Sequence, residues 1–79
     1  MRQIINGKLY DTDKCKKIHA IHLDGMVCEI LRTPNGALIG LKVSDDVENI
    51  ILDERMLKMI LGYRFPDLYI ELFGEVEEG

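Results

Sequence analysis

A small antiparallel β-sheet of three to five strands, built from hairpins, with two C-terminal helices packed over one face, is the α+β fold this sequence predicts. Three observations predict it. Asn6-Gly7 and Thr33-Pro34-Asn35-Gly36 each lie between apolar runs of strand length. From Asp53 onward the apolar residues change to the three-and-four spacing of helices. Seventy-nine residues, 47% hydrophobic and 30% charged, suffice for one core and are too few for two.

The first hairpin is expected over 2–10. Its Asn6-Gly7 turn needs positive φ at both central positions, which these two residues tolerate best. Asp11, Thr12 and Asp13 supply side-chain oxygens that accept from free N–H groups at a helix start, so a short helix over about 12–17 is expected next. Residues 18–23 are ambiguous between helix and strand, and Asp24-Gly25 fits either a hairpin turn or a helix stop. Met26 to Arg32 and Ala37 to Val43 form a second hairpin about Thr33-Pro34-Asn35-Gly36, in which Pro presets φ and Gly releases it. Ala37, Ile39, Leu41 and Val43 alternate with Leu38, Gly40 and Lys42, and the first set is expected to face the core.

Ser44-Asp45-Asp46 is a polar break, and Val47 to Leu52 is expected as one more strand. Asp53-Glu54 opens a helix with acids at its positive end and Met56, Leu57, Ile60 and Leu61 on one stripe, ending at Gly62. Pro66-Asp67 restarts a helix, because Pro suits the first helical position. Leu68, Tyr69, Leu72 and Phe73 are its apolar side, and Gly74 stops it. The chain is thus a single domain, 1–79, in which 75–79 form an acidic tail.

A core this small supplies roughly 3–5 kcal/mol, so covering a further face would add appreciably to stability, and a homodimer is among the expected assemblies. No segment has the length of a signal peptide's apolar stretch or of a membrane span, which favours a cytoplasmic protein with no membrane partner. Two cysteines without a secretory signal are expected as reduced thiols. Charge is unevenly spread: residues 1–17 carry Arg2, Lys8, Lys14, Lys16 and Lys17 against two acids, whereas 67–79 carry Asp67, Glu71, Glu75, Glu77 and Glu78 with no base. At a net charge of −4 the overall field repels phosphate, which disfavours nucleic acid as a partner and favours a basic protein surface.

Ile5-Asn6-Gly7-Lys8-Leu9-Tyr10-Asp11-Thr12 at the start, Leu31-Arg32-Thr33-Pro34-Asn35-Gly36 in the middle and Phe73-Gly74-Glu75-Val76-Glu77-Glu78 at the end resemble a group of small proteins of phages and mobile elements in Gram-positive bacteria. The group tends to begin with a similar INGKLYDT stretch and to end with a similar FGEVEE. This chain departs from it over 17–30 and at Pro34. The resemblance brings no assigned activity and no site residues. It implies a phage or mobile-element setting, in which small proteins are often accessory factors or inhibitors of host defence, anti-CRISPR proteins among them.

Several constellations invite a chemical reading. Cys15, His19, His22 and Cys28 are formally a tetrahedral zinc set, but the spacing C-x3-H-x2-H-x5-C lacks the short hooks of structural zinc sites, so core thiols and surface histidines are the expectation. A Cys15–His19 nucleophile pair would need an oxyanion hole and an orienting group for which the chain has little room. Asp45, Asp46, Glu48, Asp53 and Glu54 lack the alternation and central glycine of a calcium loop and suit turns and a helix start. Gly7-Lys8 is no phosphate cradle, since neither the upstream glycine nor a following Ser/Thr is there. With no catalytic, cofactor or metal residues expected, the function expected is binding: an accessory or inhibitory protein that meets a host or phage protein through Asp67, Glu71, Glu75, Glu77 and Glu78. An exposed sheet edge is the other contact surface expected for such a protein. The alternative is a nucleic-acid-binding regulator that uses the basic N-terminal face.

Overall fold

In the computed structural model, which describes residues 1–44 and 48–79, the chain begins with a hairpin of β1 (Arg2–Ile5) and β2 (Lys8–Asp11). Asn6 and Gly7 take φ of 51° and 76°, the paired left-handed conformations of a type I′ turn. A single 3-10 turn, Thr12–Lys14, replaces the helix expected over 12–17. Asp11 caps it by accepting from the Asp13 N–H at 3.1 Å, but Cys15 is already extended. Pairing with a neighbouring strand outweighs the local helical preference, because Lys16 and Lys17 stand opposite Arg32 and Leu31.

Four antiparallel strands follow in the order β3 (Lys16–Leu23), β4 (Met26–Arg32), β5 (Leu38–Val43) and β6 (Ile50–Leu52). The ambiguous run 18–23 is therefore strand, with a bulge between Lys17 and His19, and Asp24-Gly25 is a hairpin turn with Gly25 at φ 81°. Of the strand expected over 47–52, Ile50–Leu52 is observed, and Asp45, Asp46 and Val47 lie outside the described residues. Helix α1 (Glu54–Arg64) runs through Gly62, past the end expected for it, and stops at Phe65. Helix α2 (Pro66–Phe73) starts at once with Pro66 in its first turn.

Both faces of the sheet are covered. On one face Ile21, Cys28, Ile30, Leu38 and Leu52 meet Leu57 and Leu61 of α1, with Leu68, Tyr69, Leu72 and Phe73 of α2 at the margin. Each fully buried leucine contributes about 1.5–3 kcal/mol. On the other, Leu31, Ile39 and Ile51 form a smaller cluster under Ile5 and Tyr10 of the first hairpin. This corrects the facing expected of β5. Leu38 points to the helices, whereas Ile39, expected in the main core, lies under the hairpin. Alternation cannot sort inside from outside when both parities are apolar and both faces are covered. Met56 is also corrected: it is 41% exposed, off the stripe that buries Leu57 and Leu61.

Side chains close the β5–β6 side of the sheet. Gln3 lies along β6, its Oε1 accepting from the Ile51 N–H at 2.9 Å and its Nε2 donating to the Asn49 carbonyl at 3.5 Å. At the start of β5 the Leu38 N–H donates to Glu54 Oε2 at 3.1 Å. Asp53, buried between sheet and helix, accepts from the Met56 N–H at 3.0 Å through Oδ1 and from Asn6 Nδ2 at 3.2 Å through Oδ2.

Candidate functional site

The acidic surface is built by the pattern of α2. Leu68, Tyr69, Leu72 and Phe73 are held against the core, so the helical period turns Asp67 and Glu71, four residues apart, to solvent. Asp67 lies in the first turn, where it complements the positive end of the helix, and Pro66 ahead of it gives up no intrahelical bond. The inner side is fixed by Tyr69 and Phe73, whose ring centroids are 5.2 Å apart, and by Lys58 of α1 with its Nζ 4.9 Å from the Phe73 ring. Gly74, at φ 102°, ends the helix and accommodates a backbone that other residues resist. Glu75, Glu77 and Glu78 follow in an exposed, irregular segment. Among the described residues none of the five carboxylates enters an ion pair.

Between α2 and the outer edge of β3 runs a groove of about 670 Å³. His19 to His22 form its sheet wall, and Arg64, Phe65, Asp67, Leu68 and Glu71 its helix wall. This groove was not legible in the sequence, because it exists only once residues 16–23 are strand and α2 lies beside them.

The reactive side chains are dispersed. Cys28 is fully buried on the helix-facing side of β4, and Cys15 is half-buried behind the 3-10 turn with its Sγ donating to the Asp11 carbonyl at 3.3 Å. Burial pushes both thiols above their ordinary pKa. The Asp11 carboxylate adds to the rise at Cys15, while at Cys28 Lys42 opposes it and Glu29 adds to it. Neither thiol is thereby activated as a thiolate. His19 and His22 are both exposed on β3, three residues apart and so on opposite faces of the strand. No cluster of three or more His, Cys, Asp or Glu side chains suited to a metal ion occurs among the described residues. Of the acidic run, Asp53 and Glu54 are occupied as helix cap and strand cover, Glu48 is exposed, and Asp45 and Asp46 lie outside the described residues.

The basic residues do not converge either. Arg2 and Lys8 sit on the hairpin, Lys14 on the 3-10 turn, and Lys16 and Lys17 at the start of β3, where Lys17 Nζ is 2.9 Å from Glu29. Sequence reasoning also missed an exposed stripe on α1, Met56, Met59 and Tyr63, the last two 67% and 86% exposed. Their spacing of three and four could have marked it, but residues placed so are ordinarily core. No helix among the described residues is long and apolar enough to cross a membrane.

No family model matches the chain, and no curated protein or solved structure matches it. What the protein does must follow from its own surfaces.

Proposed function

We propose that this is a non-catalytic protein-binding protein whose contact surface is the acidic face of α2 with the segment that follows, Asp67, Glu71, Glu75, Glu77 and Glu78. The observation that carries the reading is that these five carboxylates are all exposed and free of ion pairs among the described residues, along one continuous stretch of chain. Such a stretch presents a row of anionic oxygens that a basic surface recognises, and complementary charge accelerates association with a basic protein. The resemblance to phage and mobile-element proteins makes a host protein the natural partner, one whose basic surface serves nucleic acid. The protein would then act as an inhibitor that occupies that surface. Binding of nucleic acid itself is the weaker reading, since the basic side chains are scattered and Lys17 is taken by Glu29.

The test is capture of the partner from host lysate by the wild-type chain and by a variant with Glu71, Glu75, Glu77 and Glu78 all changed to Gln. The wild type should retain a basic protein at low salt and lose it as salt rises, and the variant should not retain it. Equal capture by both proteins, indifferent to salt, sinks the proposal.

A further inference from the structure

The two edges of the four-stranded sheet are treated differently. On the β5–β6 side, main-chain N–H groups are met by Gln3 and Glu54. β3 is the other edge, the longest strand at eight residues, and it pairs only with β4 among the described residues. The bulge between Lys17 and His19 disrupts one end of it and leaves His19–Leu23 regular. Because a two-residue turn makes Leu23 and Met26 a hydrogen-bonded pair, the alternation of an antiparallel ladder sends the N–H groups of His19, Ile21 and Leu23 toward β4. Those of Ala20 and His22 therefore point outward, ready for another strand.

We propose that this edge pairs antiparallel with β3 of a second copy of the chain, joining two four-stranded sheets into one. Charge selects this occupant. β3 begins with Lys16 and with Lys17, the latter held by Glu29 of the same chain, and ends beside Asp24, whose side chain is 89% exposed and 3.8 Å from Arg64. In an antiparallel pair the lysine end of each strand lies against Asp24 of the other, whereas a parallel pair would oppose like charges. The helix wall of the adjoining groove carries Asp67 and Glu71 beside Arg64, a net negative charge, and the strand laid beside it brings Lys16 and Lys17. Pairing centred on Ile21 sets His19 opposite Leu23 and Ala20 opposite His22 of the second copy, and the outward groups then make about four main-chain hydrogen bonds. The joint takes Asp67 and Glu71 from the acidic surface proposed above, and Glu75, Glu77 and Glu78, which do not line the groove, are left for a partner protein.

Sedimentation equilibrium and amide hydrogen exchange on the whole chain test the dimer without any other protein, so the outcome is independent of the binding reading above. The wild type should sediment at twice 9.1 kDa and dissociate on dilution, with the Ala20 and His22 amides protected only in the dimer. Ala20→Pro, which removes an outward N–H and leaves the β4 ladder intact, should be monomeric. Lys16→Glu should weaken the dimer roughly tenfold, and adding Asp24→Lys should restore much of the loss. If Ala20→Pro fails to fold, the charge pair decides. A wild type that stays monomeric into the millimolar range overturns the proposal, even if the edge then takes a strand from a different protein. So does a dimer that leaves the Ala20 and His22 amides unprotected, as one formed through the α1 stripe would.

Discussion

Gly40 stands at the tightest point of the main core. A Cβ added there would sit 3.0 Å from Cys28 Sγ and 3.4 Å from Leu52 Cβ and Cδ1. Cys28 is fully buried and Leu52 nearly so, and a strand residue packed beneath a helix layer has little room to retreat. Glycine in a strand interior ordinarily weakens it, so alanine would gain some backbone order, but overpacking costs typically 1–3 kcal/mol and wins here. Gly40→Ala should therefore destabilise the fold by about 1 kcal/mol in urea unfolding. The thiol is the atom in the way, so Gly40→Ala should cost less in a Cys28→Ala background than in the wild type, with a coupling of at least about 0.5 kcal/mol. Strictly additive losses would show that the close approach is relieved elsewhere.

At the scale of elements, α1 is held at its start by one carboxylate with two duties. Asp53 caps the helix through the Met56 N–H and receives Asn6 from the turn of the first hairpin, so it joins three elements. Asp53→Ala should cost about 1–2 kcal/mol, the usual value of a lost cap together with an orphaned partner, whereas Asp53→Asn keeps an acceptor for Met56 and should cost less than half as much. Equal losses in thermal unfolding would mean that capping contributes little. Asp53 was legible in the sequence as a helix opener because capping is local chemistry, and the same holds for the turns at Asn6-Gly7 and Thr33-Pro34-Asn35-Gly36. Asn6 as its partner was not legible, since nothing local joins residues forty-seven positions apart. Residues 12–17 misled for the same reason, their capping signal yielding to the pairing of Lys16 and Lys17 with β4. The exposure of Asp67 and Glu71 could be read off because the apolar positions of α2 leave them nowhere else to point. The groove they wall could not be, because it depends on where α2 lies against β3.

Across the whole molecule, the sheet is sandwiched unequally. Among the described residues the helix-side cluster has seven buried apolar side chains, and the hairpin-side cluster has three. The hairpin keeps Ile4 and Leu9, directly opposite each other, turned outward at 74% and 54% exposure, so its outer face adds nothing to either cluster. It is fastened mainly by Ile5 and Tyr10 beneath it, by Gln3 along β6 and by Asn6 on Asp53. An element with little buried apolar surface opens at a lower free energy than the core it covers. Native-state hydrogen exchange should accordingly find the slowest amides at Ile30 and Ile39, exchanging only with global unfolding. The Ile4 and Leu9 region should exchange through a partial opening at least about 1 kcal/mol less costly and only weakly dependent on denaturant. Gln3→Ala should lower the hairpin's opening energy further and leave the Ile30 amide nearly unchanged, because the main core does not include Gln3. Hairpin and core amides that merge onto one denaturant dependence in the wild type would instead show that the smaller cluster binds the hairpin as firmly as the helices are bound.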